Sequence, residues 1–130
     1  MTKDTNKKKI LLVDDDELHL SITSTMLKDD YDVLTAKSGK EAVDYFYQGV
    51  FPDLILLDIL MPEMDGWETL NRIKSISFLD DIPLIFLTSL EDAAAEKRAY
   101  EVGALDYIMK PCKKADILLR VAQALEKSRA

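Results

Sequence analysis

The stretch Leu54-Ile55-Leu56-Leu57-Asp58-Ile59-Leu60-Met61-Pro62-Glu63-Met64-Asp65-Gly66 decides how this chain is read. Its first four residues are apolar without alternation, the pattern of a strand buried on both faces. Asp58 interrupts that run, where a carboxylate is costly unless partners meet it. Pro62 and Gly66 then supply loop chemistry. Asp65 and Glu68 have the spacing of a helix start ahead of Trp67, Leu70 and Ile73. The unit is a buried strand, an acid at its end, a loop and a helix.

The same unit recurs on either side. Further short apolar runs stand at Ile10–Val13, Val33–Ala36, Leu84–Leu87 and Tyr107–Met109. Between them lie segments with helical spacing. Leu18, Ile22 and Met26, with Leu27 beside them, predict the apolar stripe of a first helix. Ser38 and Glu41 form a capping pair ahead of Ala42, Val43 and Phe46. An alanine-rich segment from Ala93 to Val102 stops at Gly103, and Ile117, Leu118, Val121 and Leu125 make a last stripe. Strand and helix alternate five times, which implies βαβ units, right-handed crossovers and a three-layer α/β sandwich.

Composition narrows the function classes. A chain of 130 residues fits one domain. A formal charge of −7 disfavours nucleic acid and anionic lipid as bulk partners, so neither direct nucleic-acid binding nor membrane attachment is expected. No apolar run approaches the roughly 20 residues of a membrane span. The single cysteine excludes an internal disulfide and points to a reducing compartment, and the expected location is cytoplasmic. Residues 1–8 read as a flexible polar leader, 9–127 as the folded domain and 128–130 as a tail. The leader beginning at Met1 favours a natural N-terminus, and with so few residues after the last helix the chain reads either as a stand-alone domain or as a piece excised from a longer protein.

In open parallel sheets the ligand site lies beyond the carboxyl ends of the strands. Those ends carry Asp14-Asp15-Asp16, Asp58, Thr88-Ser89 and Lys110-Pro111. Two carboxylates about 4 Å apart repel by roughly 4 kcal/mol at an effective dielectric near 20, so a cluster needs cations or protons. An all-oxygen donor set suits a hard ion such as Mg²⁺. With a lysine and a hydroxyl added, the rim has the parts needed to stabilise an oxyanion arriving at a carboxylate, and phosphoryl transfer to Asp58 fits that chemistry. Each motif alone has a plainer reading: an Asp run as a solvated turn or cap, Thr-Ser as an N-cap pair, Lys-Pro as a loop. Their joint occurrence at four strand ends is the specific signal.

Four blocks, Leu11–Asp16, Leu54–Gly66, Ile85–Ser89 and Gly103–Pro111, make the chain resemble the receiver domains of response regulators in two-component signalling, including the chemotaxis response regulator. The resemblance covers roughly Lys9 to Lys127. It implies a flavodoxin-like, doubly wound (βα)5 three-layer sandwich with a parallel five-stranded sheet in the order 2-1-3-4-5. It further implies Asp58 as phosphoacceptor and Asp14, Asp15, Asp58 and the backbone carbonyl of Leu60 as the Mg²⁺ site, with Mn²⁺ a substitute. Thr88 and Lys110 would contact the phosphoryl group, and Tyr107 would move inward with Thr88 as a switch. The Lys110–Pro111 bond is expected cis, and Pro62 and Gly66 are expected to shape the loop, Gly66 through backbone freedom. The implied partners are a histidine kinase or histidine phosphotransfer protein and a target that reads the surface of the fourth helix, fifth strand and fifth helix. Catalysis beyond self-phosphorylation and self-dephosphorylation is not expected.

The chain departs from the family at several positions. Leu60 and Leu90 stand two residues after Asp58 and Thr88, where polar groups often orient water, so slow self-dephosphorylation is expected. Cys112 follows Lys110-Pro111 where an aromatic is common, and reads as a small buried thiol. His19, the only histidine, reads as a packing or exposed residue of the first helix. Lys113-Lys114 opens the last helix with charge opposed to its dipole. Asp106, Asp116 and Arg120 lie where some regulators place dimer-forming charges, but Glu96 breaks the pattern and leaves homodimerisation open. Two other classes compete: a phosphorylation-independent scaffold on the same fold, and an aspartyl-phosphate phosphohydrolase. The latter needs an Asp where Leu60 stands.

Overall fold

A computed structural model describes residues 7–76 and 82–127. Most of the leader expected at 1–8, and the tail expected at 128–130, lie outside the described residues. Ten elements alternate: β1 (Lys9–Val13), α1 (Glu17–Leu27), β2 (Asp32–Ala36), α2 (Gly39–Tyr47), β3 (Leu54–Leu57), α3 (Gly66–Ile76), β4 (Leu84–Thr88), α4 (Ala93–Glu101), β5 (Asp106–Met109) and α5 (Lys114–Lys127). The five strands form one parallel sheet in the order β2-β1-β3-β4-β5. The doubly wound fold expected from the sequence is the fold observed.

Strand alternation sorts the core into two layers. Leu11, Val13, Ile55, Leu57, Leu84, Phe86 and Tyr107 point to one side, where Val43, Phe46, Leu70, Ile73 and Ala99 of α2, α3 and α4 pack on them. Ile10, Leu12, Leu54, Leu56, Ile85, Leu87 and Ile108 point to the other, against Leu20 and Leu27 of α1 and Ile117 and Val121 of α5. The unbroken apolar runs thus face a helix layer on each side.

Side-chain caps start four helices. Asp16 accepts from the N–H groups of Leu18 and His19, Ser38 from that of Glu41, and Asp92 from that of Ala94. Ahead of α3, Asp65 accepts from the N–H of Glu68 at 2.9 Å, as its spacing predicts. Gly103, at φ 102°, ends α4 in the left-handed conformation that glycine adopts freely.

Two expectations need correction. The buried face of α1 is Leu20, Thr23 and Leu27, while Leu18 and Ile22 are 66% and 45% exposed. Two stripes of similar apolar content run along this helix. The one containing Thr23, itself only 6% exposed, lies inward between Leu20 and Leu27. Gly66 also works differently from its expected role. It lacks a left-handed φ; instead a Cβ there would stand 2.4 Å from the Asp58 carbonyl oxygen, so α3 starts in direct contact with the end of β3. The left-handed residue of this loop is Glu63, at φ 67°.

Candidate functional site at the carboxyl ends of the strands

Parity along the strands places the acidic site. Asp14 follows Ile10 and Leu12, Asp58 follows Leu54 and Leu56, and Lys110 follows Ile108, so all three belong to the α1/α5 side of the sheet. Asp14 and Asp58 are buried and Asp15 is exposed, and carboxylate oxygens of the three lie within 4.8 Å of one another. Lys110, its side chain only 8% exposed, bridges the two buried acids. Its Nζ donates to Asp14 Oδ2 at 2.6 Å and to Asp58 Oδ2 at 3.0 Å. The remaining oxygens are also occupied. The Asp16 N–H donates to Asp14 Oδ1 at 3.0 Å, and the Leu60 N–H to Asp58 Oδ1 at 3.3 Å.

The electrostatics follow from this packing. Burial pushes the Asp14 carboxyl above its ordinary value, and the hydrogen bond from Lys110 only partly offsets it. Burial pulls Lys110 down, but the Asp14 hydrogen bond and the Asp58 charge outweigh it and hold the ammonium above its usual range. The amine therefore stays charged, and one ammonium faces three carboxylates. That leftover negative charge, in an all-oxygen donor set with an exposed member, fits a hard divalent cation. Among the described residues no N–H donates to the Leu60 carbonyl, which leaves that oxygen free for an ion.

Thr88 and Tyr107 belong to the opposite parity. Thr88 is fully buried, and its Oγ1 accepts from the Leu90 N–H at 3.2 Å. The Tyr107 hydroxyl donates to the Leu90 carbonyl at 2.6 Å, with its ring already buried. The loop after β4 thus links the two residues through Leu90. The Lys110–Pro111 bond is cis, as expected.

Other expectations resolve residue by residue. Asp16 is spent on capping α1 and does not join the carboxylate cluster. Trp67 packs at 5.0 Å from the Phe86 ring, with the Arg98 guanidinium 4.1 Å above its own. Of the three consecutive aromatic residues of α2, Tyr45, Phe46 and Tyr47, Phe46 is buried, Tyr45 donates to the Thr35 carbonyl at 2.9 Å and Tyr47 is exposed. Cys112 is half-buried, and burial pushes its thiol up. Arg120 is paired within the chain to Asp106 at 3.0 Å and Asp116 at 3.3 Å. The residue that sequence reasoning missed is His19. Its Nδ1 lies 3.4 Å from Lys110 Nζ and 3.5 Å from Asp16 Oδ2. The available signal was its place in the first turn of the helix that follows the acidic loop.

Comparison with known proteins agrees with this geometry. Residues 10–122 match the response regulator receiver domain. A probable cyclic di-GMP phosphodiesterase from Vibrio cholerae is 38% identical over 98% of this chain and 29% of its own length. A probable transcriptional regulator, ycf27, from Guillardia theta is 37% identical over 94% of this chain and 47% of its own. The chain thus spans less than half of either curated relative. The crystal structure of a CheY-like receiver domain protein from Methanospirillum hungatei superimposes with a TM-score of 0.86 at 29% identity, covering 95% of this chain and 98% of that one. No helix among the described residues is long and apolar enough to cross a membrane. The chain belongs to the response regulator receiver domain family, a signalling module of two-component systems.

Proposed function

We propose that Asp58 accepts a phosphoryl group from a histidine kinase or histidine phosphotransfer protein, and that the acyl phosphate changes which partner the domain binds. The observation that carries this reading is the Lys110 amine held between two buried carboxylates, at 2.6 Å from Asp14 and 3.0 Å from Asp58. Such an arrangement is expensive as mere scaffolding, because ions in a low-dielectric setting lose several kcal/mol of hydration each.

In the transfer, a carboxylate oxygen of Asp58 attacks the phosphorus of a phosphohistidine. The P–N bond breaks with its electron pair returning to the imidazole, which takes up a proton, and an acyl phosphate remains on Asp58. Lys110, already oriented at Asp58 Oδ2, turns an N–H onto a phosphoryl oxygen. Asp14, Asp15, Asp58 and the Leu60 carbonyl would hold Mg²⁺, or Mn²⁺ in its place. The bound ion supplies positive charge to the non-bridging oxygens. The new group brings about −1.5 to −2 charges. Thr88 is drawn toward it, Tyr107 holds the space behind, and the α4-β5-α5 surface repacks around Leu90. A cytoplasmic location follows from the donor this reading requires.

The test is transfer of label from a small phosphodonor with Mg²⁺. Wild type takes label at Asp58, Asp58→Asn takes none, and undiminished label in that variant overturns the assignment. Leu60 is 52% exposed and lines an apolar groove with Met61, Pro62 and Leu90 beside the site. Neither leucine offers water a hydrogen bond, so the acyl phosphate decays slowly. Replacing both by Asn shortens its half-life, whereas a wild-type half-life of seconds contradicts this part of the reading.

A further inference from the structure

We infer that His19 is a positioning residue for Lys110, its Nδ1 accepting the third N–H of the ammonium so that the other two are fixed on the acidic pocket. The inference rests on the phosphoacceptor reading and adds a component specific to this chain. A lysine ammonium has three donors and no acceptor. At Lys110, whose side chain is 8% exposed, a donor without a partner is costly. One donor goes to Asp14 Oδ2 and one to Asp58 Oδ2, both on the sheet side. The third faces α1, where His19 Nδ1 stands at 3.4 Å.

The contact requires one tautomer. Because Nζ cannot accept, a proton on Nδ1 would set two donors against each other, so Nδ1 must present its lone pair and Nε2 carry the proton. The same Nδ1 stands 3.5 Å from Asp16 Oδ2, on the carboxylate that caps the N–H groups of Leu18 and His19, and 4.0 Å from Asp14 Oδ2; these acceptors compete for a proton on Nδ1, so the tautomer is a direct test of the contact. The cap fixes the first turn of α1, and the first turn fixes the ring. With one N–H spent on His19, rotation of the ammonium is arrested. The other two are aimed at Asp14 Oδ2 and Asp58 Oδ2 before the reaction begins, and the one on Asp58 has only to swing onto an arriving phosphoryl oxygen.

His19 is 41% exposed, so its replacement leaves the core intact. His19→Leu removes the acceptor, and His19→Asn returns an amide oxygen close to the place of Nδ1. With a small phosphodonor, which needs no protein docking on α1, the saturating phosphorylation rate of His19→Leu falls about three- to tenfold, as expected for losing one net hydrogen bond at a partly exposed side chain. The half-saturating Mg²⁺ concentration, read from Trp67 fluorescence, moves less than about twofold, since the metal-binding oxygens are untouched. His19→Asn recovers most of the rate. A rate unchanged in His19→Leu, or equally low in both variants, overturns the inference. A second measurement needs neither donor nor metal: in a nitrogen-15 spectrum the one histidine of the chain shows Nδ1 unprotonated and Nε2 protonated. The reverse tautomer also overturns it. If wild type takes no label at all, the phosphoacceptor reading fails, while the tautomer still decides the contact.

Discussion

The middles and the ends of the same strands follow opposite rules. In their middles, Leu11, Leu56, Ile85 and Phe86 are fully buried among apolar neighbours, and each contributes area removed from water. Just beyond, the ends of β1, β3 and β5 deliver Asp14, Asp58 and Lys110 into nearly as deep a position, where burial opposes charge. The core is packed for stability and the rim stores unfavourable electrostatics that a ligand can relieve. The strands make the second possible because the first holds them rigid.

Substitution in the middle should therefore cost most. Phe86→Ala removes a fully buried ring that also supports Trp67, and about 3–5 kcal/mol of unfolding free energy should disappear in urea titration. A loss under 1 kcal/mol would mean that this layer is less closely packed than its burial implies. Gly66→Ala sits at the junction of the two zones. Its Cβ would meet the Asp58 carbonyl at 2.4 Å, and backbone cannot yield as a side-chain tip does. Roughly 1–3 kcal/mol should be lost, together with label transfer at Asp58, because α3 must back away from the strand end.

At the rim the sign reverses. Burial raises the Asp14 pKa above 3.8 in the folded protein. Between that ordinary value and the raised one, the folded form holds a proton that the unfolded chain has released, so this group makes stability fall as pH rises. Asp14→Asn removes the penalty. Without divalent metal it should be at least as stable as wild type at pH 7, its advantage shrinking toward pH 4. Mg²⁺ works in the same direction by a different route: at a hundred times its dissociation constant, linkage adds about 2.7 kcal/mol to wild type and much less to the variant. Equal gains in both proteins would remove Asp14 from the metal site.

The same contrast explains what could be read from the sequence. The strands were legible because residues such as Leu54 to Leu57 are apolar on both faces, and the rim was legible because charged residues end such runs. The buried face of α1 was not. Thr23 counts as polar in any pattern yet lies inward, while Leu18 and Ile22 count as apolar and lie outward. The choice depends on how α1 rests on the sheet and α5, a matter of tertiary geometry rather than local composition. His19 was passed over for a related reason. Its role depends on Lys110, 91 positions away, and only the parity of β5 brings the amine to the α1 side. Contacts across elements escape local pattern unless both partners sit in recognisable motifs.

Arg98 and Trp67 are such a pair, and they offer the smallest test of how far the rigid zone extends. The guanidinium of α4 lies 4.1 Å over the indole of α3, and the Lys74 amine donates to the Val102 carbonyl at 2.6 Å. These two contacts tie α3 to the end of α4 on the far side of the sheet from the acidic cluster. Arg98 is exposed, so water competes for its charge and the stacking contributes about 0.5–1 kcal/mol. Arg98→Ala should lower stability by that amount and shift the emission of Trp67, while the half-saturating Mg²⁺ concentration stays constant. If metal affinity falls with the stacking, α4 is coupled to the carboxylates through the loop that holds Leu90, and the boundary between packed middle and strained rim runs through α4 rather than at the strand ends.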